Sequence, residues 1–508
     1  MSKPIKHVVI VGGGSAGWLA AGVIAAGQPS LEVTLVESPD VAPIGVGEGT
    51  WPSMRDTLHR IGVSESAFFR ECDAAFKQGS RFNGWRGGED HYFHPFVLQQ
   101  GFGEADLVEQ WQRAYPGVPF ADLVSFQPHL CVQGRAPKQP ATPEFAAVAN
   151  YGYHLDAGKF GVFLRKHCLE KLGVRYVPDH VTAVNSRENG DIASLQTKEH
   201  GALEGDLFID CTGMQSLLLG RHYGVPLLRR KDVLFNDSAL AVQVPYERED
   251  SPIASQTTST AQRAGWIWDI GLPTRRGIGH VYASSHITDE QAEADLRAYV
   301  GVDMPSPRKL TFEPGYREQF WHRNVVAIGL SAGFIEPLEA SALALVEMSA
   351  AMVSDDLPAT RDAMDIVARR FNDAFTYRWE RVIEFLKLHY VLSGRTDSDY
   401  WHDNRRSETI PARLRELLVL WRHRPPSRLD FNRIEEVFPS ASWQYVLYGM
   451  DFKPDRERIT RHESDGNRAG AADGYFREAA ELTRRMLRAL PSNREMIDHI
   501  RLHGLQKI

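Results

Sequence analysis

The sequence has little cysteine: four residues in 508, at Cys72, Cys131, Cys168 and Cys211, with no C-x-x-C pair. That usage excludes a disulfide scaffold and a paired zinc site, and it fits a reducing compartment. Charge is nearly balanced, at −7 net with a pI near 6.3 and no basic tail. A nucleic-acid surface and an anionic-membrane patch are excluded with it. Long apolar runs are also missing. The longest apolar-rich stretch, 342–353, is shorter than the roughly 20 residues that span a bilayer, and Glu347 and Ser349 interrupt it. The first residues lack the apolar core and cleavage site of a secretory leader. A cytoplasmic chain is expected, monomer or homodimer, with no nucleic-acid or membrane partner. There is no internal repeat and no low-complexity segment.

What is present is a sizeable core: 43% of residues are apolar and 24% charged. At roughly 150 residues per domain, the length allows about three domains or one elaborated fold. The first forty residues read strand (7–11), small-residue helix (15–26), strand (32–37). Between the first strand and the helix stands Gly12-Gly13-Gly14-Ser15-Ala16-Gly17, a G-x-G-x-x-G. Its glycines permit a tight turn and bring backbone N–H groups, with the positive end of a helix, close to a pyrophosphate. Glu37 ends the second strand, where an acid hydrogen-bonds a ribose hydroxyl. A lone glycine pattern is weak; strand, turn, helix, strand and terminal acid together predict a dinucleotide site.

NAD and FAD are not separated by this pattern alone. Later strands favour FAD: 207–210 ends in Asp210-Cys211-Thr212-Gly213, and 325–328 ends at Gly329, both returning to a cofactor's edge. No second G-x-G-x-x-G is present to hold NAD(P)H, so reducing power is expected as free reduced flavin from a separate flavin reductase. Further strands are predicted near 175–177, 239–244 and 265–270, helices from about Leu338 onward, and loops at 397–411, 424–426 and 464–474. The fold class expected is α/β, a Rossmann-type FAD-binding fold of the flavin monooxygenase type with a mainly helical substrate-side region.

From Val8 to about Pro454 the chain resembles the flavin-dependent halogenases, the tryptophan halogenase family. The W-x-W-x-I-P marker of that family is matched by Trp266-Ile267-Trp268-Asp269-Ile270-Gly271, with glycine for proline and Pro273 following. Gly45-Val46-Gly47-Glu48-Gly49, Phe76-Lys77-Gln78-Gly79, His94-Pro95-Phe96 and Glu336-Pro337-Leu338-Glu339 match further blocks in family order. The resemblance implies that reduced FAD and oxygen oxidise a bound halide to hypohalous acid, which crosses a tunnel to an aromatic pocket. There Lys77 holds it, as a hydrogen-bonded electrophile or a haloamine, and Glu339 polarises it or takes the ring proton. Confinement has a physical reason: free hypohalous acid oxidises Met, Cys and Trp indiscriminately, and one fixed amine supplies both rate and position.

By the same resemblance Gly12, Gly14, Ser15, Ala16, Gly17, Glu37, Gly47 and Gly329 bind the cofactor. Ser341 and Ala342 hold chloride or bromide. Trp266 and Trp268 line the tunnel, and His94, Phe96 and Trp443 the substrate pocket. Two alternatives stay open here, an FAD-dependent aromatic hydroxylase and a non-catalytic flavin-binding protein. His91 and His94 have no evident third ligand, so no metal is expected. The family's Ser-Thr-Gly after the glutamate is Ala340-Ser341-Ala342, which leaves the halide open. The lid 442–450 offers no match to an amino-acid clamp, so the substrate expected is an electron-rich aromatic, indole or an indole derivative first, rather than free tryptophan. Residues 1–350 are expected to form the FAD-binding module, with substrate-side insertions at about 51–150 and 226–310. Residues 351–508 form a helical cap that completes the pocket.

Overall fold

The structure, a computed structural model, describes residues 4–40, 47–301, 303–434, 436–455 and 466–507. Gly45 and Val46 of the Gly45–Gly49 block therefore lie outside the described residues. The first strand, His7–Val11, is buried along Val8–Val11 and sits mid-sheet, with Glu32–Glu37 on one side and Leu207–Asp210 on the other. Arg175–Pro178 extends the sheet beyond Glu32–Glu37, and Val325–Ala327 extends it beyond Leu207–Asp210. These five strands are parallel, and the short Trp321–His322 closes the edge antiparallel. Continuous apolar runs suit strands covered on both faces. Because the chain leaves the first strand in both directions, a crevice opens at the strands' C-terminal ends, where such sheets bind ligands.

Helices Ser15–Gly27, Ala157–Lys171 and Ser341–Asp355 pack together against this sheet. The first is buried along Gly17–Ala25, which explains its small side chains: larger ones would hold the neighbouring helices apart. Asp210 is structural. Its buried carboxylate accepts from the Leu218 and Leu219 amides at 2.8 and 2.9 Å and from the Thr212 hydroxyl, fixing the turn after the strand.

A second, seven-stranded sheet carries the substrate side. Its order is Arg308–Thr311, Ser238–Pro245, Arg275–Tyr282, Gly265–Gly271, Thr257–Gln262, Gly79–Asn83, His91–Pro95. Trp268 lies across Gly279 of the neighbouring strand, and a Cβ on Gly279 would stand 2.1 Å from the indole ring. Gly279→Ala is therefore expected to destabilise the protein by about 1–3 kcal/mol. Urea unfolding checks this, and a midpoint equal to wild type contradicts the packing described.

The last third is helical, as expected, and includes the 31-residue helix Arg361–Val391. Two loops are corrected. Within 397–411 lies the short helix Asp399–Asp403, anchored by buried Tyr400 and Trp401. Of 464–474, residues from Gly466 on belong to the helix Gly466–Ala489. Its glycines suggested a break, but the helix docks on Leu107–Ala114, Phe120–Val124 and Gln127–Val132 through buried Ala472 and Phe476, and packing overrides propensity. The short strands Ala75–Lys77, Gly79–Asn83 and His91–Pro95 were not foreseen in the irregular middle region. Among the described residues no helix is long and apolar enough to cross a membrane.

Candidate active site

The crevice opens into a continuous cavity of about 1040 Å³. Gly12, Gly13, Gly14, Ser15, Ala16, Glu37, Gly47 and Gly329 all line it. Gly12 has φ 106°, and a Cβ there would stand 2.2 Å from the Cys211 carbonyl oxygen. A Cβ on Gly17, buried below the loop, would lie 1.9 Å from the Gly12 carbonyl oxygen. These two glycines serve the shape of the turn itself. Gly14 differs: a Cβ there would meet nothing within 4 Å, so the space over the helix start is free for a phosphate. Burial raises the Glu37 carboxyl above its ordinary value, against bonds from Tyr176 and Trp18. Its Oε2 is buried and, among the described residues, has no hydrogen-bond partner. An orphaned acceptor facing a cradle open to phosphate fits the ribose and pyrophosphate of FAD.

Lys77 lines the same cavity. It ends the strand Ala75–Lys77, paired to Gly152, and is only 1% exposed. Burial lowers its amine from 10.5 to about 8, and the Glu339 charge opposes that shift. Its Nζ stands 5.4 Å from the centre of the Phe96 ring, so amine and aromatic face one another. His154, buried alongside, is pushed well down by burial and by the Lys77 charge.

Glu339 holds an unusual backbone. It has φ 63° and Ala340 has φ 56°, two left-handed non-glycine residues in succession before the helix Ser341–Asp355. Such strain persists only where surroundings enforce it, and it clusters at functional sites. Here the Trp51 indole N–H donates to the Glu339 carbonyl at 2.7 Å. The carboxylate is buried and accepts from His94 Nδ1 at 2.8 Å and, more weakly, from Ser80 Oγ at 3.4 Å. His389 Nε2 stands 3.5 Å from the same Oε1. Burial disfavours the ionised form, but His94 and His389 outweigh it and hold the carboxyl well below its ordinary range.

The structure thus brings together Lys77, Glu339, His94 and Phe96 with Ser341 and Ala342, which line the cavity at the helix start. Trp266 and Trp268 also line it, on one face of their strand. The Trp266 indole N–H is fixed by Glu336 at 3.0 Å. Trp443 is not brought to this group. It is fully buried, donates to the Phe438 carbonyl at 3.1 Å, and packs edge-on against Phe385, the ring that also neighbours His94. Sequence reasoning missed Trp51, Ser80, His389 and Glu48. Glu48 lies between two matched glycines and lines the cavity, where burial raises its carboxyl to about 7.

A dinucleotide cavity that runs from a glycine cradle to a buried lysine–glutamate pair defines an FAD-dependent enzyme of the halogenase class. The "Tryptophan halogenase" family model matches residues 7–465, and the chain belongs to that family. It is 48% identical to a tryptophan halogenase from Shewanella frigidimarina of known structure, with a TM-score of 0.96 over 100% of this chain and 99% of that one. A flavin-dependent halogenase from Brevundimonas sp. BAL3 is 33% identical, with a TM-score of 0.85 over 98% and 99%. A 7-chloro-L-tryptophan 6-halogenase from Kutzneria sp. is 32% identical over 519 residues, covering 97% of this chain and 99% of the relative. Halogenation is accordingly favoured over hydroxylation and over a non-catalytic role.

Proposed function

We propose that the chain halogenates indole or an indole derivative, with hypohalous acid held at Lys77. The observation that carries this reading is a buried amine and a buried ionised carboxylate lining the same cavity as the glycine loop. Bound reduced FAD, delivered by a separate flavin reductase, supplies with oxygen the oxidant that converts chloride or bromide to hypohalous acid. The chain does the rest. Gly12, Gly14, Ser15, Ala16 and Gly17 cradle the pyrophosphate, Glu37 takes a ribose hydroxyl, and Gly47 and Gly329 border the ring system. The Ser341 hydroxyl and the first amides of its helix, at Ser341 and Ala342, make an anion cradle for the halide. Trp266 and Trp268 wall the passage and exclude the arene from the flavin. The Lys77 ammonium donates to the hypohalous acid and orients it, while Glu339 stabilises the cationic arene and takes its proton. His94 and Phe96 flank the flat ring. In this reading residues 1–350 are the FAD-binding module and 351–508 the cap, and Trp443 supports the pocket from behind.

The preference for indole over free tryptophan rests on the lid helix Ser440–Gly449. Its polar groups are committed inward: Tyr445 donates to the Val97 carbonyl at 3.1 Å, Gln444 to Pro426 at 2.9 Å, and Trp443 to Phe438. Tyr448 is fully buried. Trp443, Gln444 and Tyr445 are thus occupied by backbone carbonyls, which supports a pocket without an amino-acid clamp on this helix. Mass spectrometry of indole, tryptophan and phenol panels, each with bromide or chloride, tests the assignment. Indole is expected to be halogenated faster than tryptophan, and the reverse order overturns it.

The amine also sets a pH dependence. A lysine near 8 is protonated below that pH and loses its donating proton above it. Halogenation is therefore expected to fall as pH rises through about 8. Single-turnover rates on preloaded enzyme check this; a rate that climbs through about 8 instead indicates a neutral amine forming a haloamine.

A further inference from the structure

We propose that Tyr92 and His389 are a positioning pair for Glu339, setting the proton on His389 so that an N–H faces the carboxylate. The proposal rests on the reading of Lys77 and Glu339 as the halogenation site. Tyr92 and His94 are two apart on the strand His91–Pro95, so their side chains share one face, and both converge on Glu339. His389 comes from the helix Arg361–Val391, far away in sequence. The Tyr92 hydroxyl stands 2.5 Å from His389 Nδ1. Burial and the Glu339 charge push the Tyr92 phenol well up, so it stays protonated and must be the donor. Nδ1 is then an acceptor, and the ring proton is left on Nε2. That Nε2 is buried, stands 3.5 Å from Glu339 Oε1, and has no nearer hydrogen-bond partner among the described residues.

The geometry is held rigidly. Phe82 stacks on Tyr92 at 4.6 Å and on His389 at 4.7 Å, so neither ring is free to turn. The charged and titratable groups facing Glu339 are Lys77, His94 and His389; those facing Tyr92 are His389, Glu339, Asp90 and Arg86. His94 supplies the short imidazole bond at 2.8 Å, and His389 supports the same oxygen from 3.5 Å. Apo sites commonly show such long bonds. The opposite tautomer would present a lone pair to Oε1, a repulsive contact that turns the carboxylate away from the arene.

Tyr92→Phe removes one oxygen and keeps the Phe82 stack, so folding is preserved. The expected result is a fall of about ten-fold in kcat with little change in KM, the size of one lost hydrogen bond to a polarised group. The acid limb of the pH–rate profile moves to higher pH, because the carboxylate loses part of its support. His389→Gln places an amide N–H where Nε2 stood and retains more activity than His389→Leu. FAD titration and thermal unfolding show that each variant is loaded and folded. A Tyr92→Phe enzyme with the wild-type pH profile, or equal activity in the Gln and Leu variants, overturns the pairing. Lys77→Ala is run alongside: retained halogenation there overturns the site reading itself, whereas an inactive Lys77→Ala with an unaltered Tyr92→Phe overturns the positioning alone.

Discussion

Lys77→Ala is expected to lower halogenation by roughly 10³-fold or more while FAD binding is unchanged. Holding a reactant next to its partner is among the strongest sources of rate an enzyme has, and the proposed mechanism gives that task to one amine. Lys77 belongs to the strand Ala75–Lys77 and not to the Gly12–Gly17 turn, so its loss is expected to leave the glycine cradle intact. Folding is not the cause of the loss either. Its amine is depressed from 10.5 to about 8 in the folded state, so burying the charge opposes folding below about pH 8, and that cost fades as pH rises from about 8 toward 10.5. Replacing it at neutral pH removes an unfavourable buried charge. FAD titration by flavin fluorescence, thermal unfolding and product yield separate these effects. A Lys77→Ala enzyme with wild-type yield contradicts the assigned role.

Gly14→Val is expected to weaken FAD binding by roughly 100-fold or more with the apo-protein's unfolding midpoint unchanged. Each charge-assisted backbone bond to a phosphate contributes about 1.5–3 kcal/mol, and a side chain in that space displaces at least one. The separation of effects follows from the geometry. Gly14 has φ −70° and open space around its Cβ position, so valine fits the fold. Gly17 has no such room, and a side chain there would disrupt the turn directly. Isothermal titration with FAD checks the difference. Wild-type affinity in Gly14→Val would place the cofactor elsewhere.

The cofactor end was legible in sequence because its signal is local. Glycines, helix start and Glu37 stand within 26 residues and each has one physical task. Lys77, Glu339, Trp266 and Trp268 were legible only through blocks resembling a family, since a lone lysine or tryptophan has no pattern of its own. What escaped was non-local. His389 joins Glu339 from the last turn of the helix Arg361–Val391, 50 residues downstream, where its spacing reads as core. Trp51 follows a matched block but acts on the carbonyl of Glu339. Trp443, expected at the pocket from the family's lid, packs edge-on against Phe385 and donates to the Phe438 carbonyl. The helix Gly466–Ala489 was hidden because its glycines argue against a helix, and only its docking surface explains it.

The most direct test is mass spectrometry of indole incubated with the purified protein, FAD, a flavin reductase, NADH, oxygen, and either bromide or chloride. The account predicts a product carrying one halogen, with the isotope pair of whichever halide is supplied, and no product when halide is omitted. A hydroxylated indole formed at the same rate with or without halide would contradict it.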